Sequence, residues 1–296
     1  MTRFFRWQTV AGALASVVMG AIAIAPLPAI ALEREEVVRR LGAVPIFTVI
    51  REDGRFLVLP PPEDIATPTN SETGVVFNFF DPTDVQGFFS NLRESNPEAT
   101  ASMTILVSSL GDLYEWAERN ENEARRPQLI YAPIEEAVTS ATTLLRQQRE
   151  TVNEFPGIPL FVATSSSEDN YLTLEDDGQT VVPFFFSRED LDRMLDVYRE
   201  RQPDIAGQAQ VKVTTLDRVV SILEDGQPTD DFVNRIRLIP SRESLEFIQS
   251  IQREAAPGNG TPGNAAPGNG GNNTNNGNGR NGGNSGANGG ASNLLR

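Results

Sequence analysis

Apolar residues in the middle of the chain follow two periods in alternation, and the same succession occurs twice. Residues 75–114 and 181–220 align without a gap at an offset of 106, with ten identical positions. Chance would supply roughly two or three over that length. In the first copy Val85, Phe88, Phe89 and Leu92 stand at i, i+3, i+4 and i+7; in the second, Leu191, Met194, Leu195 and Tyr198 take those places. Each set predicts one apolar helix stripe. Asp81-Pro82 and Ser187 supply the helix starts, and Pro97 and Pro203 the stops. A strand follows, with Met103, Ile105 and Val107 alternating in one copy and Ala209, Val211 and Val213 in the other. A second helix comes next, its stripe being Leu110, Leu113, Tyr114 and Ala117, or Leu216, Val219, Val220 and Leu223.

Upstream, Val44-Pro45-Ile46-Phe47 matches Ile158-Pro159-Leu160-Phe161 at an offset of 114, so the first copy carries eight more residues before its Val-Val strand. The stretch Pro60–Pro68 reads as the stiff loop that holds this surplus. Asp53-Gly54 and Asp177-Gly178 read as hairpin turns. Gln128–Ala132 predicts a strand entering a helix at Pro133, and Arg235–Pro240 one entering a helix capped by Ser241. The pattern predicts an α/β fold: two pseudo-symmetric repeats of strands with interleaved helices, in mixed sheets. Repeat one spans about 42–150 and repeat two about 157–252, within one duplicated domain of 32–254 paired about an approximate two-fold axis. Leu32–Leu41 reads as a charged leading helix outside the repeat.

The two ends differ from this pattern. Arg3 and Arg6 precede an apolar stretch from Val10 to Ile24; Pro26 and Pro28 break it, and Ala29-Ile30-Ala31 follows. That order predicts a secretory signal peptide over residues 1–31, so the chain is expected to be exported. The periplasm is the expected destination, and a thylakoid lumen is served by the same kind of signal. Residues 255–296 are Gly, Asn, Ala and Pro with almost no large apolar side chain, which predicts a disordered tail. A GxGxxG pattern at Gly258–Gly263 lacks the strand and helix that a phosphate-binding loop requires.

Composition then narrows the chemistry. The net charge is −15, or −17 once Arg3 and Arg6 leave with the leader, and this opposes nucleic-acid binding. The chain has neither His nor Cys, which removes the usual triads, thiol redox chemistry and His- or Cys-based zinc sites. No cofactor is expected. Lys212 is the only lysine; it falls mid-strand where the other copy has Leu106, and reads as a solvent-facing or edge residue. Candidate carboxylates for acid–base work on a glycan are Asp53, Asp176 and Asp177 in turns, and Asp84, Glu189 and Asp190 at helix starts. Turn formation and pairing with helix dipoles account for both groups.

Phenylalanine is the distinctive residue. Val75–Phe80 and Val181–Phe186 are apolar on both strand faces, or nearly so. One face (Val75, Phe77, Phe79; Val181, Pro183, Phe185) can pack under the helices. The other (Val76, Phe80; Val182, Phe184, Phe186) needs separate cover. Either these strands lie centrally in a sheet covered on both sides, or the two units cover each other, or the five residues line apolar pockets that receive extended polypeptide; incomplete cover would let cover and pocket coexist.

At Val44–Thr48, Val75–Asp81, Ile158–Val162 and Val181–Asp190 the chain resembles the twenty-two-kilodalton family of the chloroplast inner-envelope translocon, the Tic family, in its cyanobacterial form. The resemblance covers about residues 40 to 252. It implies a pseudo-symmetric α/β fold with apolar pockets on two sides, chaperone-like delivery of precursor polypeptides, and support of outer-membrane barrel assembly. The implied partners are unfolded or precursor proteins and a barrel assembly factor, with peripheral membrane association. An adaptor that binds no client and a carboxylate-based glycan hydrolase are the alternatives.

Overall fold

The Pro-Ile-Phe run forms β1 (Pro45–Ile50), and the Val-Val run forms β2 (Val75–Phe79) beside it, antiparallel. The computed structural model describes residues 34–255 apart from 63–72, 124, 151, 154, 166–170, 202, 204–206 and 227–230. The expected leader, the tail beyond Ala255 and most of the expected Pro60–Pro68 loop therefore lie outside the described residues. Ahead of β1 runs α1 (Arg34–Leu41), the charged leading helix. After β2 come α2 (Pro82–Ser95), the single turn α3 (Pro97–Thr100), β3 (Thr104–Ser109), α4 (Leu110–Arg119), β4 (Gln128–Ala132) and α5 (Glu135–Gln147). The second unit runs β5 (Pro159–Thr164), β6 (Leu174–Asp176), β7 (Gln179–Phe185), α6 (Arg188–Arg201), β8 (Gln210–Thr215) and α7 (Leu216–Asp225). It closes with α8 (Asp231–Arg235), β9 (Ile236–Ile239) and α9 (Arg242–Ala255).

The fold is mixed α/β with two mixed sheets, as the residue pattern predicts. The first has strand order β3-β1-β2-β4; in the second, β8, β5, β7 and β9 take the same places and β6 is added along β7. The ladders agree residue by residue. Pro45 faces Ser109 as Pro159 faces Thr215, and β4 and β9 run parallel to β2 and β7. Leu59 bridges Val75 where Leu174 bridges Val181, so the first unit's surplus falls between Leu59 and Val75.

Local signals behave as their chemistry dictates. Asp81 caps α2 by accepting from the Thr83 and Asp84 amides at 2.6 and 3.3 Å, with Pro82 following it. Ser187 and Ser241 each accept an amide three residues on, from Asp190 and Ser244, both at 3.3 Å. Asp177 and Gly178 both have positive φ (49° and 76°), the geometry of a two-residue hairpin turn. One start differs from expectation: α5 begins at Glu135, not Pro133. Ile134 stays extended because its side chain packs into two of the core clusters at once.

Three apolar layers result. Phe47, Val49, Phe77, Phe79, Ile105 and Val107 on one face of the first sheet lie under α2, through Val85, Phe88, Phe89 and Leu92. Phe161, Ala163, Phe185, Val211 and Val213 lie under α6, through Leu191, Met194 and Leu195. Between the sheets lies the central cluster, drawing on the other face of both and on α1, α4 and α7. Here Gly111 is obligatory, because a Cβ would run into Val38 O and the Gly42 amide where α4 crosses the end of α1.

The third helices are exchanged. The first unit's α5 packs on the second sheet through Ala137 and Ala141, while the second unit's α9 packs on the first, Phe247 meeting Phe47 edge-on at 5.5 Å. Tyr114 of α4 also donates to Glu224 Oε1 of α7 at 2.7 Å, tying the units together. Each unit therefore completes the other's core, and unfolding should be one event. Phe186→Ala, in the second unit, is expected to cost about 3–5 kcal/mol. The urea midpoint read from Trp116 fluorescence, in the first unit, should fall together with that from far-UV circular dichroism. Separate transitions would show that the units fold independently.

Candidate functional site

The five residues expected to line open pockets are inside. Val76, Phe80, Val182, Phe184 and Phe186 expose 0, 3, 1, 4 and 2% of their surface. Phe80 and Phe186, equivalent in the repeat, stack on each other with centroids 5.0 Å apart. Phe184 stands 6.3 Å from Tyr171, which in turn meets Phe232 at 4.8 Å. Phe80, Val182, Phe184 and Phe186 thus close on one another and on α4 and α7 in the central cluster, and Val76 is buried as well. Of the two ways to cover them, mutual burial is the one adopted, and the expectation that these side chains stand open in this state is corrected.

An opening does lie at the same end of the molecule. The carboxyl ends of β2, β4, β7 and β9 each pass directly into a helix, and the first turns of α2, α5, α6 and α9 converge. They surround a polar cleft of about 540 Å³ whose walls include Asp81, Asp84, Glu135, Glu136, Glu189 and Glu243. Acidic residues suit helix starts, where they meet the positive end of the helix dipole. The two halves of this cleft differ, however. Asp190 pairs with Arg193 at 2.7 Å and accepts the Arg242 amide at 3.0 Å. Its counterpart Asp84 has Gly87 where Arg193 would be and Glu135 where Arg242 would be. Burial, with the Asp81 and Glu135 charges beside it, pushes the Asp84 carboxyl above its ordinary value.

The remaining carboxylates named from the sequence serve structure. Asp53 binds Arg51 and Arg55, each at 2.8 Å, and Asp176 binds Arg237 at 3.1 Å. Asp177 forms the β6–β7 turn, and Glu189 pairs with Arg193 on α6. Lys212 lies on β8, the outermost strand of its sheet, as expected. A small apolar hollow of about 50 Å³ lies between Leu41, Leu110, Tyr131, Ile158 and Leu216. Among the large apolar residues that are exposed, the pattern singled out none: Val58, Val197, Leu245 and Ile251. Only the comparison of repeat positions could have drawn attention to α9, which bears two of them. No described helix is long and apolar enough to cross a membrane.

The fold and these surfaces define a class: a duplicated α/β protein of two interlocked units, with a sealed aromatic seam and an acidic cleft where helix starts of both units converge. The chain belongs to the Tic22-like family, whose pattern matches residues 6–250. Its structure is similar to Anabaena Tic22, described as a protein of protein transport, with a TM-score of 0.63 at 25% identity over 74% of this chain and 97% of that one. It also shares its fold with Tic22 from Plasmodium falciparum, with a TM-score of 0.56 at 15% identity over 74% of this chain and 98% of that one. No curated protein matches the sequence.

Asp84, which has no cationic partner among the described residues, predicts a pH-dependent stability. A carboxyl whose folded pKa is raised holds its proton more tightly in the native chain. Its contribution to stability is therefore present at low pH and lost as pH rises from the unfolded value near 3.8 through the folded one. Asp84→Asn should raise Tm by about 1–2 °C at neutral pH, the scale of a surface charge effect, and by nothing at pH values below the unfolded pKa. Scanning calorimetry at the two pH values checks this, and an equal gain at both would contradict it.

Proposed function

We propose that this chain is an exported, chaperone-like protein of protein transport that holds precursor polypeptides on their way through the cell envelope and supports outer-membrane biogenesis. Membership of the Tic22-like family over residues 6–250 carries the reading, with the likeness to Anabaena Tic22 over nearly all of that chain in support. The leader-like sequence at residues 1–31 supports export, to the periplasm in the first instance. High negative charge keeps such a protein apart from anionic lipid and from its own copies while it carries an aggregation-prone client.

The sealed seam sets a condition on the mechanism. Val76, Phe80, Val182, Phe184 and Phe186 meet a client only if the units part along the Phe80–Phe186 contact; otherwise the client is held on outer surfaces. The same sealing favours a second reading, an adaptor that docks on a membrane assembly factor and binds no unfolded chain.

Residues 32–296 should slow light scattering from a denatured outer-membrane barrel protein diluted into buffer, at a few-fold molar excess. Scattering unchanged at that excess, together with copurification of a folded assembly factor, would establish the adaptor instead. Because the chain has no native Cys, Tyr114→Cys with Glu224→Cys can be joined by a short bis-maleimide, holding α4 to α7. If clients enter the seam, the cross-linked form loses suppression and the uncross-linked double variant keeps it.

A further inference from the structure

We propose that the free edge of β3 takes up an extended segment of a client polypeptide as an added strand; this rests on the client-holding reading and names where and how the client is held. β3 and β8 occupy the same place, the outermost strand beside β1 or β5, in the same register. In an antiparallel pair, alternate residues turn their N–H and C=O groups toward the neighbour and away from it. Val49 O accepts the Leu57 amide at 3.0 Å, so Val49 turns away from β3. Its cross-strand partner Ile105, and Val107 two residues on, therefore turn their backbone groups to the open side. Among the described residues, none of those four groups has a partner.

The equivalent edge of the second unit is blunted twice. Gln148, just past α5, donates its Nε2 to Val211 O at 3.4 Å. Lys212 puts a charge in mid-strand, a common guard against edge pairing. On β3 both guards are missing. Leu106 stands where Lys212 stands, and Ala255, at the end of α9, takes the place of Gln148. One turn earlier on that face of α9, Ile251 is 39% exposed, whereas its counterpart Leu144 on α5 is half-buried. The edge is thus open in backbone hydrogen bonding, and α9, which packs on the same sheet, leaves Ile251 uncovered.

Backbone donors and acceptors alternating along a strand are matched by another extended backbone, which supplies affinity largely independent of sequence. The strand itself, Thr-Ile-Leu-Val-Ser-Ser, carries no charge. An incoming segment that alternates apolar and polar residues, the pattern of barrel strands, would set its apolar side chains beside Ile105 and Val107. The net charge of −15 favours segments with basic flanks. The chain's own residues after Ala255 are poor occupants, because Gly, Asn and Pro are the residues least suited to a strand.

The probe is a fluorescein-labelled peptide of about ten residues alternating Val and Thr, with two Arg at one end. It should bind the full-length chain by anisotropy, and hydrogen exchange should show new protection at Ile105 and Val107. The same peptide N-methylated at every Val and Thr amide keeps its side chains but loses its backbone donors, and should bind at least about tenfold more weakly. Leu106→Lys, which copies the second unit, should weaken binding while far-UV circular dichroism stays unchanged; Ile105→Pro should abolish it. Equal binding of the N-methylated peptide, or protection confined to other strands, overturns the proposal. So does a dimer by sedimentation whose β3 amides are protected without peptide, since a second copy would then be the occupant. If Leu106→Lys binds no peptide yet suppresses aggregation like the parent chain, client holding survives and the edge does not. If the peptide binds β3 but no client is held, the functional reading falls and the edge stands as a peptide site.

Discussion

The rest of this structure depends on two strands that are apolar, or nearly so, on both faces. β2 and β7 each bury one face under the helix that follows them, and that helix can do no more. The second face has no cover within its own unit beyond α4 or α7, so it closes in the central cluster that both copies share, with Phe80 stacked on Phe186. Burying a Phe side chain is worth roughly 1.5–3 kcal/mol, and an isolated unit would leave several of them in water. Pairing of the two units is thus a condition of folding. The exchange of α5 and α9 extends the same dependence to the outer faces.

Within this symmetric frame the differences between the units are informative, because packing alone would accept the same residues twice. Buried Thr48 donates to Asn78 Oδ1 at 2.7 Å on the first sheet, where the second has apolar Val162 and Phe184. The Asn78 amide reaches Val76 O and Ile130 O, so the polar pair is satisfied and costs little. Asp84 lacks the arginine that its counterpart Asp190 holds, and β3 lacks the lysine and glutamine that guard β8. In the last two cases the first unit carries the more open version. A duplicated fold can divide its labour in this way, one half closed for stability and the other left available.

The candidate site was legible in part. Alternation along Val75–Phe80 and Val181–Phe186 identified the right strands and separated the helix-covered face from the other. It could not say what covered the other face, because the cover comes from a segment 106 residues away and alternation is a local signal. The acidic cleft was invisible for a related reason. Asp81, Asp84 and Glu189 each read as an ordinary helix-start residue, the pattern singles out neither Glu135 nor Glu243, and only the convergence of four strand–helix junctions makes them one surface. At the β3 edge the telling contrast, Leu106 against Lys212, was present in the aligned repeats. Its meaning required the strand order.

The amino-acid sequence by itself determined the duplication, the alternation of strand and helix, the caps at Asp81, Ser187 and Ser241, and the hairpin turn at Asp177-Gly178. These are set by side-chain period and by hydrogen bonds that span a few residues, so they can be read without knowing where the chain goes next. Tertiary structure decided how the two units meet, which sheet each third helix joins, and which strand is left with an open edge. Those outcomes depend on burial and backbone pairing between distant segments: an apolar face is equally apolar whether a second copy, a helix or a client covers it.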